Sequence, residues 1–255
     1  MGDKRWVLGL LVFVGIIGSI GSRQNGLISS EEMLDRPVMV NLARRPDRFA
    51  VTKSLLERAG FSHIERCDAV DGWYGDPTIF KQLRIRSGSP GEKGCAASHL
   101  LIWKQLVESS DRDLLFVVED DCVPHSQFSE LFPQYWAATP MDFDLVMVGN
   151  QISASFQDPM LVVQPTYCTH AYIISKKGAI KLLDLYQKIP KTGGQLFVID
   201  CFLRDVMQKG LINYYCYNGA CFPDSTQVQV GSVYVDRAGG ICFQNARVTA
   251  SIGGK

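Results

Sequence analysis

Leu114-Leu115-Phe116-Val117-Val118 is an unbroken apolar run that stops at three consecutive carboxylates, Glu119-Asp120-Asp121. A strand without polar alternation is buried on both faces, and such strands belong to sheets with helices packed on either side. This feature by itself points to an α/β domain. The rest of the chain agrees: from about residue 37 onward, short apolar runs alternate with helix-period segments, the pattern of a mostly parallel central sheet. A first strand is expected over 38–42, with a helix opened by Pro46 and closed by Gly60. A second strand is expected near 64–70. Ser89-Pro90-Gly91-Glu92 is a capping box with Pro at the first helical position, and Cys95, His99, Ile102, Trp103 and Leu106 follow at three- and four-residue spacings. Further strands are expected over 145–148 and 171–174. Ser175 then caps a helix that turns Ile180, Leu183 and Tyr186 inward, and a last helix spans 200–209. The chain from Tyr214 onward is rich in Gly, Cys and aromatic residues and takes no assignment.

The chain has 255 residues, 46% of them hydrophobic, which suits one compact domain. Lys+Arg and Asp+Glu both number 26, so no basic excess is available for a polyanion, and nucleic acid is not expected as a partner. Part of the apolar content sits at the N-terminus. After Lys4-Arg5, residues 6–21 carry no charge, the length of a short signal anchor or a long signal-peptide core. We therefore divide the chain into a targeting segment over 1–21, a linker over 22–36 and a single domain over 37–255. The basic flank holds the N-terminus in the cytosol. The domain is then membrane-anchored by a single pass and lies across the membrane, or is secreted or lumenal if the segment is cleaved. Eight cysteines never form a CxxC pair and the four histidines are scattered, so a zinc site is not expected. Spacing assigns no disulfides. GxSxG, P-loop and dinucleotide fingerprints are absent.

In open α/β sheets, ligands bind at the carboxyl ends of strands, where the three carboxylates stand. If extended backbone continues, Glu119 and Asp121 share one side and Asp120 faces the other. Such a pair suits a hard divalent cation, Mg2+ or Mn2+; the alternative is a solvated acidic turn. Arg44, Arg45 and Arg48 follow the first strand, and guanidinium forks match diphosphate oxygens, against the plainer alternative of a solvated helix start. His99 on an inward helix face reads first as a core histidine. Asp71-Gly72 is an ordinary turn pair, and Asp200 is either a helix N-cap or a general base.

Taken in order, Val40-Asn41-Leu42-Ala43-Arg44-Arg45-Pro46-Asp47-Arg48, Asp68-Ala69-Val70-Asp71-Gly72, Ser89-Pro90-Gly91-Glu92-Lys93-Gly94-Cys95-Ala96-Ala97-Ser98-His99, Val118-Glu119-Asp120-Asp121 and Thr169-His170-Ala171-Tyr172-Ile173-Ile174-Ser175 resemble the family 25 glycosyltransferases, among them lipooligosaccharide and collagen galactosyltransferases. Ile199-Asp200 resembles the family's Val-Asp pair, so the likeness spans about 38–205. The resemblance implies a GT-A-like nucleotide-sugar-binding fold and a metal-dependent, inverting transfer of galactose or glucose from a UDP-sugar to a glycan or glycoprotein hydroxyl. It implies a cation, Mn2+ or Mg2+, on Glu119 and Asp121. Donor contacts are implied for Asn41, Arg45, Arg48, Asp71, Gly72, Glu92, Ser98 and His99, and catalytic roles for Asp200 and Asp120. Two other classes compete: a catalytically silent glycan-binding or scaffolding protein with the same fold, and a metal-dependent phosphohydrolase.

Overall fold

The computed structural model describes residues 28–152, 160–218, 227–230, 233–236 and 239–244. The expected targeting segment over 1–21 lies outside them, as do residues 22–27 of the expected linker. Residues 28–36 of that linker pack onto the domain. Helix α1 (Ser30–Leu34) opens with a Ser29–Glu32 capping box and buries Met33 and Leu34, and Trp136 Nε1 donates to the Ile28 carbonyl at 2.8 Å.

The chain continues as β1 (Val38–Asn41), α2 (Pro46–Arg58), β2 (Glu65–Asp68), α3 (Thr78–Gln82), α4 (Pro90–Glu108), β3 (Leu114–Glu119), β4 (Cys122–Pro124) and α5 (Phe128–Ala138). Then come β5 (Leu145–Met147), β6 (Gly149–Asn150), β7 (Leu161–Val162), β8 (Ala171–Ser175), α6 (Lys176–Gln187), α7 (Ile199–Gln208) and β9 (Tyr214–Tyr217). The unassigned C-terminal stretch supplies β10 (Gln227–Val230), β11 (Val233–Asp236), β12 (Gly239–Gly240) and β13 (Cys242–Gln244), with β12 paired to β6 and β13 to β4.

Seven strands form one sheet in the order β2-β1-β3-β8-β5-β9-β7. β2, β1, β3, β5 and β9 run one way, while β8 and β7 run against them, so the sheet is mostly parallel as expected. β3 shows why its sequence lacks alternation. Leu115 and Val117 join the core under α4, α6 and α7, whereas Phe116 and Val118 join the core under α1, α2 and α5. Each such side chain contributes roughly 2 kcal/mol by leaving water, so polar residues on either face of β3 would be costly.

Two helices differ from expectation. In α6 the buried stripe is Gly178, Ala179, Leu182 and Tyr186, while Ile180 is exposed and Leu183 only partly buried. Gly178 sets this phase: a Cβ there would lie 2.1 Å from the Asp144 carbonyl oxygen, so the helix seats its glycine against the entry to β5. In α7 the N-cap is Val198, and Asp200 lies inside the first turn rather than capping it.

Candidate active site

The carboxyl ends of β1 and β3, the loop after β2 and the first turns of α4 line an open cleft. Arg45, Arg48, Asp71, Gly72, Ser98, His99, Glu119, Asp120 and Asp121 all line it, together with Arg44, Trp73 and Cys95.

The acidic turn departs from simple alternation because the strand ends at Glu119; Asp120 and Asp121 form a tight turn into β4. Asp120 and Asp121 therefore converge on one partner. The buried Arg48 guanidinium stands 2.6 Å from Asp120 Oδ1 and 3.4 Å from Asp121 Oδ2. Asn41, also buried, donates from Nδ2 to Asp120 Oδ2 at 2.6 Å and to the Arg45 carbonyl at 2.9 Å, which ties the end of β1 to the turn. Gln244 Nε2 donates to Asp121 Oδ2 at 3.2 Å from β13. Glu119 has other partners: His99 Nε2 at 3.0 Å and the Thr169 hydroxyl at 2.5 Å, both on Oε1.

The opposite wall is held open by glycines. A Cβ on Gly72 would fall 1.6 Å from the Pro90 carbonyl oxygen, and one on Gly94 would fall 2.4 Å from that of Val70, so the β2 loop rests directly on α4. Ser98 completes the contact, accepting from the Val70 N–H at 2.8 Å. Asp71 accepts from the N–H groups of Trp73 and Tyr74 and from Arg44 Nε at 2.6 Å. This presents Trp73 and Tyr74 at the rim, 59% and 83% exposed. Arg44 lies over the Tyr74 ring, and Arg45 pairs with Asp47 at 2.8 Å. Glu92 is not among the lining residues; its carboxylate caps α4 by accepting from the Ser89 N–H at 2.6 Å.

Burial raises the carboxyls of Asp120, Asp121 and Asp200, and the negative charge of Glu119 adds to all three; in Asp120 burial outweighs Arg48 and Asn41. Asp200 thus lies within electrostatic reach of the acidic turn, although it does not line the cleft. Burial also acts to raise Glu119, but the hydrogen bonds from His99 and Thr169 hold it below the usual carboxylate range. Acidic charge gathered around one buried guanidinium, with two carboxyls pushed up by a third, is a donor set that fits a hard divalent cation. A softer grouping, not expected from the scattered cysteines and histidines, also stands here: Cys95, His99 and Glu119 offer ligand atoms within 4.8 Å of one another. Its only sequence signal is the four-residue helical spacing of Cys95 and His99. Gln244 was hidden in the unassigned stretch, and Thr169 and Tyr172 were visible only as part of a longer resemblance.

Sheet, cleft and strand-end carboxylates define an α/β protein with a mostly parallel central sheet and an acidic cleft at its strand ends. The sequence profile of glycosyltransferase family 25 (LPS biosynthesis protein) matches residues 36–161, and that segment belongs to the family. It is 28% identical over 171 residues to a glycosyltransferase 25 family member of Drosophila pseudoobscura pseudoobscura, covering 59% of this chain and 27% of the relative. Over 172 residues it is 31% identical to the human inactive glycosyltransferase 25 family member 3, covering 58% and 28%. Over 208 residues it is 26% identical to human procollagen galactosyltransferase 2, covering 71% and 32%. The match thus spans about a third or less of each relative's own length.

Proposed function

We propose that this chain is a metal-dependent, inverting glycosyltransferase that moves galactose or glucose from a UDP-sugar to a hydroxyl of a glycan or glycoprotein. The observation that carries this is the acidic turn at the end of β3, facing arginines across a cleft in a chain with a family 25 segment. Glu119 and Asp121 would hold Mn2+ or Mg2+, whose charge offsets that of the departing diphosphate. Arg44 and Arg45, at the rim, would bind diphosphate oxygens. Arg48, 4% exposed and committed to Asp120 and Asp121, positions the turn rather than reaching for the donor. Asp120 is likewise held by Arg48 and Asn41, which leaves Asp200 as the better general base. Its raised carboxyl pKa suits removal of the acceptor hydroxyl proton as oxygen attacks the anomeric carbon opposite the leaving diphosphate. The segment over 1–21 would anchor the domain to a membrane or direct its export.

The test is turnover by the full chain, solubilised in detergent, with a panel of UDP-sugars and Mn2+. Transfer or donor hydrolysis supports the proposal; folded protein that neither turns over nor binds a UDP-sugar overturns it. The similarity to a relative named inactive favours one second reading, a silent glycan-binding protein. Glycan binding in calorimetry without affinity for donor or Mn2+ would select it.

A further inference from the structure

A single chain of hydrogen bonds runs from the core beneath α4 and β8 to the cleft. Trp103 Nε1 lies 3.0 Å from the Tyr172 hydroxyl oxygen, that oxygen lies 2.8 Å from His99 Nδ1, and His99 Nε2 lies 3.0 Å from Glu119 Oε1. Trp103, Tyr172 and His99 are each 0% exposed, so their hydrogen-bond valences are met inside the protein. The direction follows from chemistry. An indole N–H can only donate, so the Tyr172 oxygen accepts from Trp103. The phenol proton then needs an acceptor, and among the described residues that acceptor is His99 Nδ1. A neutral imidazole that accepts at Nδ1 carries its own proton at Nε2, aimed at Glu119 Oε1. Thr169 donates to the same oxygen. Both donors take Oε1 and neither takes Oε2.

We propose that Tyr172 and His99 are positioning residues: the relay pins Glu119 by Oε1 so that Oε2 is left to a cation in the cleft that Glu119 lines. This rests on the role given to Glu119 under Proposed function. It also reassigns His99, whose two ring nitrogens are spent on Tyr172 and Glu119, from donor contact to support. The grouping of Cys95, His99 and Glu119 is then no soft-metal site, because a ligating Nε2 must offer a lone pair where the relay places a proton.

The test uses full-length protein with 15N-labelled histidine and one-bond and long-range 15N–1H spectra. The His99 ring is expected neutral with its proton on Nε2. Tyr172→Phe removes the phenol proton and should shift the ring away from that single tautomer, while Mn2+ binding measured by titration weakens about tenfold or more. Thr169→Val, which disturbs no core aromatic residue, should also weaken Mn2+ binding; near-ultraviolet circular dichroism checks that both variants keep their packing. A proton on Nδ1, or on both nitrogens, in the wild type overturns the relay. Normal Mn2+ affinity in a folded Tyr172→Phe whose tautomer has shifted overturns the positioning role. Wild-type protein that binds no Mn2+ overturns instead the cation role of Glu119 on which this rests. A thiolate-to-cobalt charge-transfer band on adding Co2+, lost in Cys95→Ser, would place a metal on Cys95 and His99 and overturn the relay as well.

Discussion

Glu119 and Asp121 are two residues apart and line one cleft, yet they are held by opposite devices. On the α2 side, charge answers charge: Arg48 is buried between Asp120 and Asp121. On the α4 side no formal cation is needed, and Glu119 is held by two donors, one a hydroxyl and one an imidazole that the relay keeps neutral. The first arrangement cancels part of the negative charge. The second leaves it intact while fixing an oxygen in place. A site that needs both a fixed frame and surplus negative charge for a cation gains one from each side.

The acidic turn is most vulnerable at Arg48. Arg48→Ala leaves two buried carboxylates uncompensated and should cost about 3–5 kcal/mol in urea unfolding. A loss under 1 kcal/mol would show that the guanidinium is no counterweight. Asp121→Asn comes next. Turnover with UDP-sugar and Mn2+ should fall at least about a hundredfold, or ~2.7 kcal/mol, while the metal-free protein gains roughly 1–2 kcal/mol because a buried charge is removed. Activity and stability moving down together would contradict that trade. The same physics sets a pH dependence. With the carboxyls of Asp120, Asp121 and Asp200 raised, the folded metal-free chain binds more protons than the unfolded chain between about pH 4 and neutrality, so stability should rise as pH falls through that window. Glu119, shifted the other way, loses its contribution only as pH drops below the usual carboxylate range. Saturating Mn2+ should flatten the profile, which thermal melts across pH can check. Smallest is Glu92→Ala, which removes a cap outside both devices: about 1 kcal/mol of stability with donor affinity unchanged. A tenfold weaker donor Kd would return Glu92 to donor binding.

What could be seen in the sequence was what is local in the chain. The Ser89–Glu92 box, the buried run of β3 and the carboxylates behind it depend on neighbours a few residues away, and the structure shows each in place. The phase of α6 departs from its local pattern because the contact of Gly178 with Asp144 lies across the fold. The same holds at the site. That Arg48 is spent on the turn, that Asn41 binds Asp120 and that Tyr172 closes a link to Trp103 are facts of tertiary contact, with partners 69 or more residues apart. Alternation failed at Asp120 because the backbone leaves the extended form there.

β13 has a consequence for the order of assembly. Its Gln244 meets Asp121 from 123 residues downstream, and the Cys242 carbonyl accepts from His170 Nε2 at 3.0 Å. A ribosome releases the profile-matched segment, 36–161, long before this strand. The nascent chain can therefore pair β1, β2 and β3 while its acidic turn still lacks one of its props. Synthesis itself imposes a delay: the turn is completed only once residue 244 has emerged, and a message truncated upstream would yield a sheet with an unfinished centre.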